Sequence, residues 1–312
     1  MAIGDFFKNG DGINFKESLT EQQYTDLCEF EGNANGFKII SENKAEIKGG
    51  LRLSYATLGA FTKYPRKSIL NKKSNHIKDK KFGFFHSQNS FFDEVANELG
   101  MIDSNGSYMR HPLAFLVEAA DDICYTLIDF EDGINLGWIS EEYALEFLIR
   151  LVKDSIDTKK YNSLKHKTDR VAYLRALSVN TLINDTVKIF LKNEEKILNG
   201  EFSKTLLSES VFKAQMKDII DISVKKVYNS KEVIEKELKG YQVIHKLLSV
   251  FIKATVNNQS DKTTALDDLV LASLPETYIH KEGNLYNQLL DVSCFVASLT
   301  DGNALEWYNK IS

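Results

Sequence analysis

The stretch from His111 to Gly133, HPLAFLVEAADDICYTLIDFEDG, decides how the chain is read. Between Leu113 and Phe130 it contains no Pro and no Gly, and apolar residues fall on nearly every side. A helix that is apolar all round belongs in the middle of a helical domain. Yet this one carries Glu118, Asp121, Asp122, Tyr125 and Asp129. Asp121, Tyr125 and Asp129 follow one another at intervals of four, which stacks them along one side of a helix. Carboxylates in apolar surroundings are costly unless a cation or strong donors meet them. The file of two acids and a tyrosine on a buried helix therefore asks for a metal ion, a polyhydroxyl ligand, or both. Structural pairing with Lys or Arg of a neighbouring helix explains the spacing equally well, so spacing alone leaves the two readings open.

The rest of the composition sets bounds. A chain of 312 residues can bury a large core as one domain or two. Charged residues at 27% and hydrophobic residues at 43% are ordinary for a globular protein. The net charge of −5 carries no global signature of nucleic-acid binding, so any basic patch has to be local. No apolar run approaches the ~20 residues of a membrane span, and no signal peptide opens the chain. Cys28, Cys124 and Cys294 are odd in number and far apart, which reads as reduced thiols in a cytoplasmic protein with no membrane partner.

Working outward, residues 1–19 are rich in Gly and Asn and show no helical period. A helical pattern begins at Thr20 and runs through Phe30 into FEGNANGFKII. LRLSYATLGAFTKY reads as a second helix ending ahead of Pro65. Residues 66–81 carry Arg66, Lys67, Lys72, Lys73, Lys78, Lys80 and Lys81 against one acid, Asp79, and form the strongest local charge asymmetry. FFDEVANELG closes on Gly100, and Pro112 suits the first turn of the central helix. Further helices are expected near 140–153, 168–198, 205–227 and 231–256, with a polar hinge at 257–264. A short helix ended by Pro275, then NLYNQLLDVSCFVASLTDG, then NALEWYNKI capped by Asp301, complete the chain. No β-alternation and no internal repeat interrupt this pattern. The predicted fold class is all-α.

The run HPLAFLVEAADDICYTLIDFEDG resembles the signature of the bacterial dGTP triphosphohydrolase family, a branch of the HD-domain metal-dependent phosphohydrolases. FEGNANGFKII, LRLSYATLGAFTKYP, KKFGFF, VAYLRALSVNTLIND and LLDVSCFVASLTDGNAL extend the resemblance across nearly the whole chain. It implies an HD-domain-like helical fold, with a core over 1–160 and a helical C-terminal region over 161–312. It also implies hydrolysis of dGTP, or another deoxynucleoside triphosphate, to the deoxynucleoside and inorganic triphosphate. A divalent Mg²⁺ or Mn²⁺ held by two histidines and two aspartates belongs to that chemistry. Matched residue by residue, Asp121 is the metal ligand from this helix, and Tyr125 and Asp129 read the sugar. Glu31 is the candidate catalytic neighbour, and Lys63, Tyr64 and Lys81 are candidates for the triphosphate.

One departure is large: no His is followed by Asp anywhere in the chain. The family's H…HD segment is therefore expected to be missing, as in an N-terminally truncated fold, with three of the four metal ligands absent. The family's usual Gly-Met-Thr-Asp reads Ser298-Leu299-Thr300-Asp301, a milder change. The resemblance then predicts a triphosphohydrolase by family whose single chain is inactive. The alternative is a non-catalytic nucleotide-binding or assembly subunit. Expected partners are a deoxynucleoside triphosphate and a second copy or a complete relative. A weak nucleic-acid contact through 66–81 is a third reading.

Overall fold

The computed structural model describes residues 2–42, 51–69, 76–153, 155–275, 278 and 283–311. Lys72 and Lys73 of the basic run lie outside these residues. The described chain is helical: α1 (Ala2–Asn9), α2 (Glu21–Cys28), α3 (Gly32–Ser41), α4 (Tyr55–Phe61), α5 (Asn89–Glu98), α6 (Pro112–Asn135), α7 (Glu141–Val152) and α8 (Thr158–Ser163). Then follow α9 (Lys167–Lys192), α10 (Glu194–Leu198), α11 (Lys213–Ser223), α12 (Lys231–Gln259), α13 (Ala265–Ser273), α14 (Leu285–Ser298) and α15 (Asp301–Ile311). A π-helix over Val224–Tyr228 directly extends α11. Among the described residues the β pairing amounts to one isolated bridge, Ile102 with Tyr108. The all-α expectation holds. No helix among the described residues is long and apolar enough to cross a membrane.

The chain divides into two compact units, one of residues 1–109 with 237–312 and one of residues 110–236. In the first, Phe6, Phe7 and Leu27 pack with Leu247, Leu248 and Phe251 of α12 and Tyr286, Leu289 and Leu290 of α14. A satellite cluster stacks Phe84 on Phe92 at 4.2 Å beside Phe37, Leu58 and Val95. The expectation of an aperiodic start over residues 1–19 is corrected here. Residues 2–9 are helical and Asp11–Ser18 form a 3-10 helix. Gly4 is there for close approach, since a Cβ on it would lie 2.3 Å from the Cys28 carbonyl oxygen. Glycines that look like loop punctuation thus let α1 press against the end of α2, burying Ile3, Phe6 and Phe7.

Two boundaries follow local capping chemistry. Thr20 and Gln23 form a reciprocal capping box that starts α2. The cap of α15 is Thr300, whose hydroxyl accepts from the Asn303 N–H at 3.3 Å, while Asp301 is already the first helical residue. The expected capping role of Asp301 is therefore corrected by one position.

Asp26 in α2 is fully buried, and its Oδ2 accepts from the His86 backbone N–H at 2.6 Å and from the Tyr286 hydroxyl. Burial pushes this carboxyl above the ordinary carboxylate range, against the pull of those donors. The folded state therefore holds the Asp26 proton more tightly than the unfolded state. Stability is lost as pH rises from the unfolded value through the folded one. Asp26→Asn keeps an acceptor and never ionises. Its melting temperature relative to wild type is expected to climb between pH 4 and pH 7. Parallel melting curves across that window would contradict the assignment.

The second unit is organised on α6. Ile123, Leu127, Phe130 and Ile134 of α6 pack against Leu174 and Leu182 of α9 and Met216 and Ile219 of α11. The expectation of a helix buried all round is corrected. The covered positions, from Ala114 and Phe115 to Gly133 and Ile134, form one face. Leu113 and Val117 on the other side are 48% and 41% exposed. The high apolar content of α6 therefore does not mark complete burial.

Candidate functional site

Unit 110–236 carries the start of α6 on a buried ion pair. Pro112 occupies the first turn, and the His111 Nδ1 caps the helix by accepting from the Leu113 N–H at 3.2 Å. Burial lowers the pKa of that imidazole, in keeping with a neutral acceptor. Arg110 donates from Nη1 to Glu118 Oε2 at 2.9 Å, with side-chain exposures of 1% and 5%. The guanidinium also lies over the Phe115 ring, 4.3 Å from its centroid. The buried acid of this helix is thus Glu118. Asp121 and Asp129 are half-buried and Tyr125 is 63% exposed, so the anticipated buried file lies along an accessible edge.

That edge borders a cavity of about 440 Å³, whose lining includes Asp122, Tyr125, Thr126, Lys213, Met216 and Tyr228. The volume falls within the range of small-molecule sites, roughly 300–1,000 Å³. Tyr228 donates its hydroxyl to Asp129 Oδ2 across the helices. Partial burial, then the hydrogen bond to Asp129, push the phenol up to about 12. It is therefore a protonated donor throughout the physiological range, and it fixes the direction of the Asp129 carboxylate. Gly133, one turn beyond Asp129, makes the approach feasible. A Cβ there would stand 2.6 Å from Val227 Cγ2 and 2.8 Å from Ile139 Cδ1. The π-helix places Tyr228 at its end, with the Asn229 N–H reaching back to the Val224 carbonyl at 3.2 Å.

Tyr228 is a candidate site residue that sequence reasoning missed. It lies 99 positions from Asp129, in a segment whose helical register shifts by one residue, and neither periodicity nor charge marks it.

The other predicted residues belong to the first unit. Glu31 Oε1 accepts from Lys81 Nζ at 3.1 Å and from Asn33 Nδ2 at 2.7 Å, so Glu31 and Lys81 are brought together. Lys63 is half-buried and Tyr64 is buried at 6% exposure. Gly83 packs on Tyr64 closely enough that a Cβ would lie 2.3 Å from its carbonyl oxygen. The basic run is partly occupied by backbone. Arg66 donates from Nη1 to the carbonyls of Lys67 and Ser68 at 2.7 and 3.1 Å, and Lys78 donates to that of Tyr108 at 2.7 Å. Arg66 thus orders its own loop, and Lys78 ties that loop to Tyr108.

A divalent metal calls for several convergent ligands. Among the described residues no group of three or more His, Cys, Asp or Glu could hold an ion. His86 and His111 are engaged elsewhere, with Asn89 and with the α6 start respectively. The residues described thus do not compose a metal site by themselves.

The tyrosine–carboxylate pair joins two helices that border the cavity. No family model matches the chain. It is 33% identical over 294 residues to a deoxyguanosinetriphosphate triphosphohydrolase-like protein of Synechocystis sp., covering 92% of this chain and 66% of that one. A protein of the same description from Listeria monocytogenes is 31% identical over 322 residues, covering 95% and 68%. A deoxyguanosinetriphosphate triphosphohydrolase of Cronobacter sakazakii is 25% identical over 331 residues, covering 92% and 64%. The chain belongs to the deoxyguanosinetriphosphate triphosphohydrolase-like family. It spans about two thirds of the length of these curated relatives.

Proposed function

We propose that this chain binds deoxynucleoside triphosphates, dGTP foremost, for hydrolysis to the deoxynucleoside and inorganic triphosphate. The observation that carries the reading is the Tyr228–Asp129 hydrogen bond beside Tyr125 at the cavity edge. Asp129, aimed by Tyr228, accepts from the sugar 3′-hydroxyl. The exposed Tyr125 ring occupies the side where a 2′-hydroxyl would project, which disfavours ribose. Lys63, Tyr64 and Lys81 are the proposed triphosphate contacts, and Glu31 holds Lys81 in place. Asp121 contributes one carboxylate to a divalent Mg²⁺ or Mn²⁺, whose other ligands have to come from beyond the described residues.

A second reading makes the chain a nucleotide-binding or assembly subunit working with a complete relative. One measurement tests the sugar assignment and a second separates the readings. Calorimetry with dGTP and GTP is expected to show tighter binding of dGTP, and equal affinities would defeat the sugar assignment. Triphosphate release from dGTP by the isolated chain is expected to stay far below enzymatic rates with Mn²⁺ or Mg²⁺ present. A robust metal-dependent release that vanishes in Asp121→Ala would instead establish this chain as a complete enzyme.

A further inference from the structure

A second cavity, of about 520 Å³, lies in the unit of residues 110–236 and shares none of its lining with the first. Its walls are of two kinds. Trp138, Tyr143, Ile139 and Ile222 supply aromatic and apolar surface, and Lys225 and Lys226 supply charge. No acid is among the lining residues. Neither lysine makes an ion pair with any described residue, and both are exposed. Of the acids that open α7 beside this cavity, Glu141 is held by Arg170 at 2.6 Å. Glu142 is exposed and outside the lining.

We infer that this cavity is a binding site for an aromatic anion of mononucleotide size. Flat aromatic walls favour a planar heterocycle, and stacking of a base on an aromatic side chain is worth about 1–3 kcal/mol. Two adjacent ammonium groups without internal partners favour phosphate over a neutral ligand. The volume favours one nucleotide over a strand, because the cavity has one aromatic pair and one pair of cations. Gly137, at φ +79°, turns the chain from α6 into this wall, and that backbone conformation rarely suits other residues. The site is independent of the sugar-reading role proposed for Asp129. The two nevertheless share one structural element. Lys225 and Lys226 sit on the π-helix that ends at Tyr228, so one five-residue segment borders both cavities.

Trp138 makes the site its own reporter. Titration of the whole chain with ATP is expected to give a saturable change in tryptophan fluorescence, retained in Asp129→Ala. The double variant K225E/K226E, both surface positions, is expected to bind ATP at least about tenfold more weakly at an unchanged melting temperature. Retention of the signal in Asp129→Ala separates this site from the first cavity. Absence of a saturable change at millimolar ATP would overturn the inference, as would equal affinity in K225E/K226E. An oligothymidylate that binds tenfold more tightly than ATP would also overturn it, in favour of a single-stranded nucleic acid.

Discussion

Glu118→Ala is expected to destabilise the protein by about 3–5 kcal/mol, because it leaves the buried Arg110 guanidinium without its counter-charge. Arg110 cannot shed its proton to escape this cost. Its remaining contacts are the Ala114 carbonyl, 3.4 Å from Nη2, and the Phe115 ring, and a cation over an aromatic face offsets only about 2 kcal/mol even when desolvated. Glu118→Gln keeps an acceptor but not the charge, and should fall between. Replacing both partners with apolar residues, Arg110→Met with Glu118→Leu, should recover most of the loss, since paired removal leaves no orphan charge. Urea denaturation of the four proteins checks this order. A loss below about 1 kcal/mol in Glu118→Ala would place the pair in the range of exposed salt bridges and refute its role as the anchor of α6.

The second large effect concerns nucleotide choice. Asp129→Ala is expected to weaken dGTP binding roughly ten- to a hundred-fold, the value of a charge-assisted hydrogen bond of about 1.5–3 kcal/mol. The comparison that isolates the role uses the analogue lacking the 3′-hydroxyl. Wild type should prefer dGTP to this 3′-deoxy analogue, and Asp129→Ala should bind the two alike. Tyr228→Phe removes the donor that aims Asp129, so it should narrow the same preference without abolishing it. In the double variant the loss should be no greater than in Asp129→Ala alone, because a positioning residue has nothing left to position. Additive losses in calorimetry would mean that Tyr228 contacts the nucleotide separately. An undiminished preference in Asp129→Ala would remove the carboxylate from sugar recognition altogether.

How far the sequence could be read depended on whether a feature was local. The span of α6 was legible, since Pro112 and an unbroken run of helix-compatible residues define it. Which face of that helix is covered was not legible. Leu113, Val117 and Ile128 are apolar and largely exposed, so composition overstated burial. Glu118 was legible as an acid of the helix but neither as its buried one nor as the member of a pair, because it finds Arg110 ahead of the helix start. At the N-terminus the helix over residues 2–9 was not legible, because the value of Gly4 lies in a contact with Cys28, twenty-four positions away. The spacing of Asp121, Tyr125 and Asp129 gave half of the candidate site. The other half, Tyr228, arrives through tertiary packing that no local pattern encodes.

The five-residue turn before Tyr228 also matters for how this chain is aligned with others. An α-helix advances about 100° per residue, and a π turn accommodates one residue more than an α turn over the same arc. Val224–Tyr228 therefore behaves as a single-residue insertion at the C-terminal end of α11, just before the turn into α12. A relative without it would carry a one-position gap here, and an ungapped alignment would assign the place of Tyr228 to a side chain pointing elsewhere around the axis. Transferring residue roles past position 224 thus requires superposed backbones rather than matched letters.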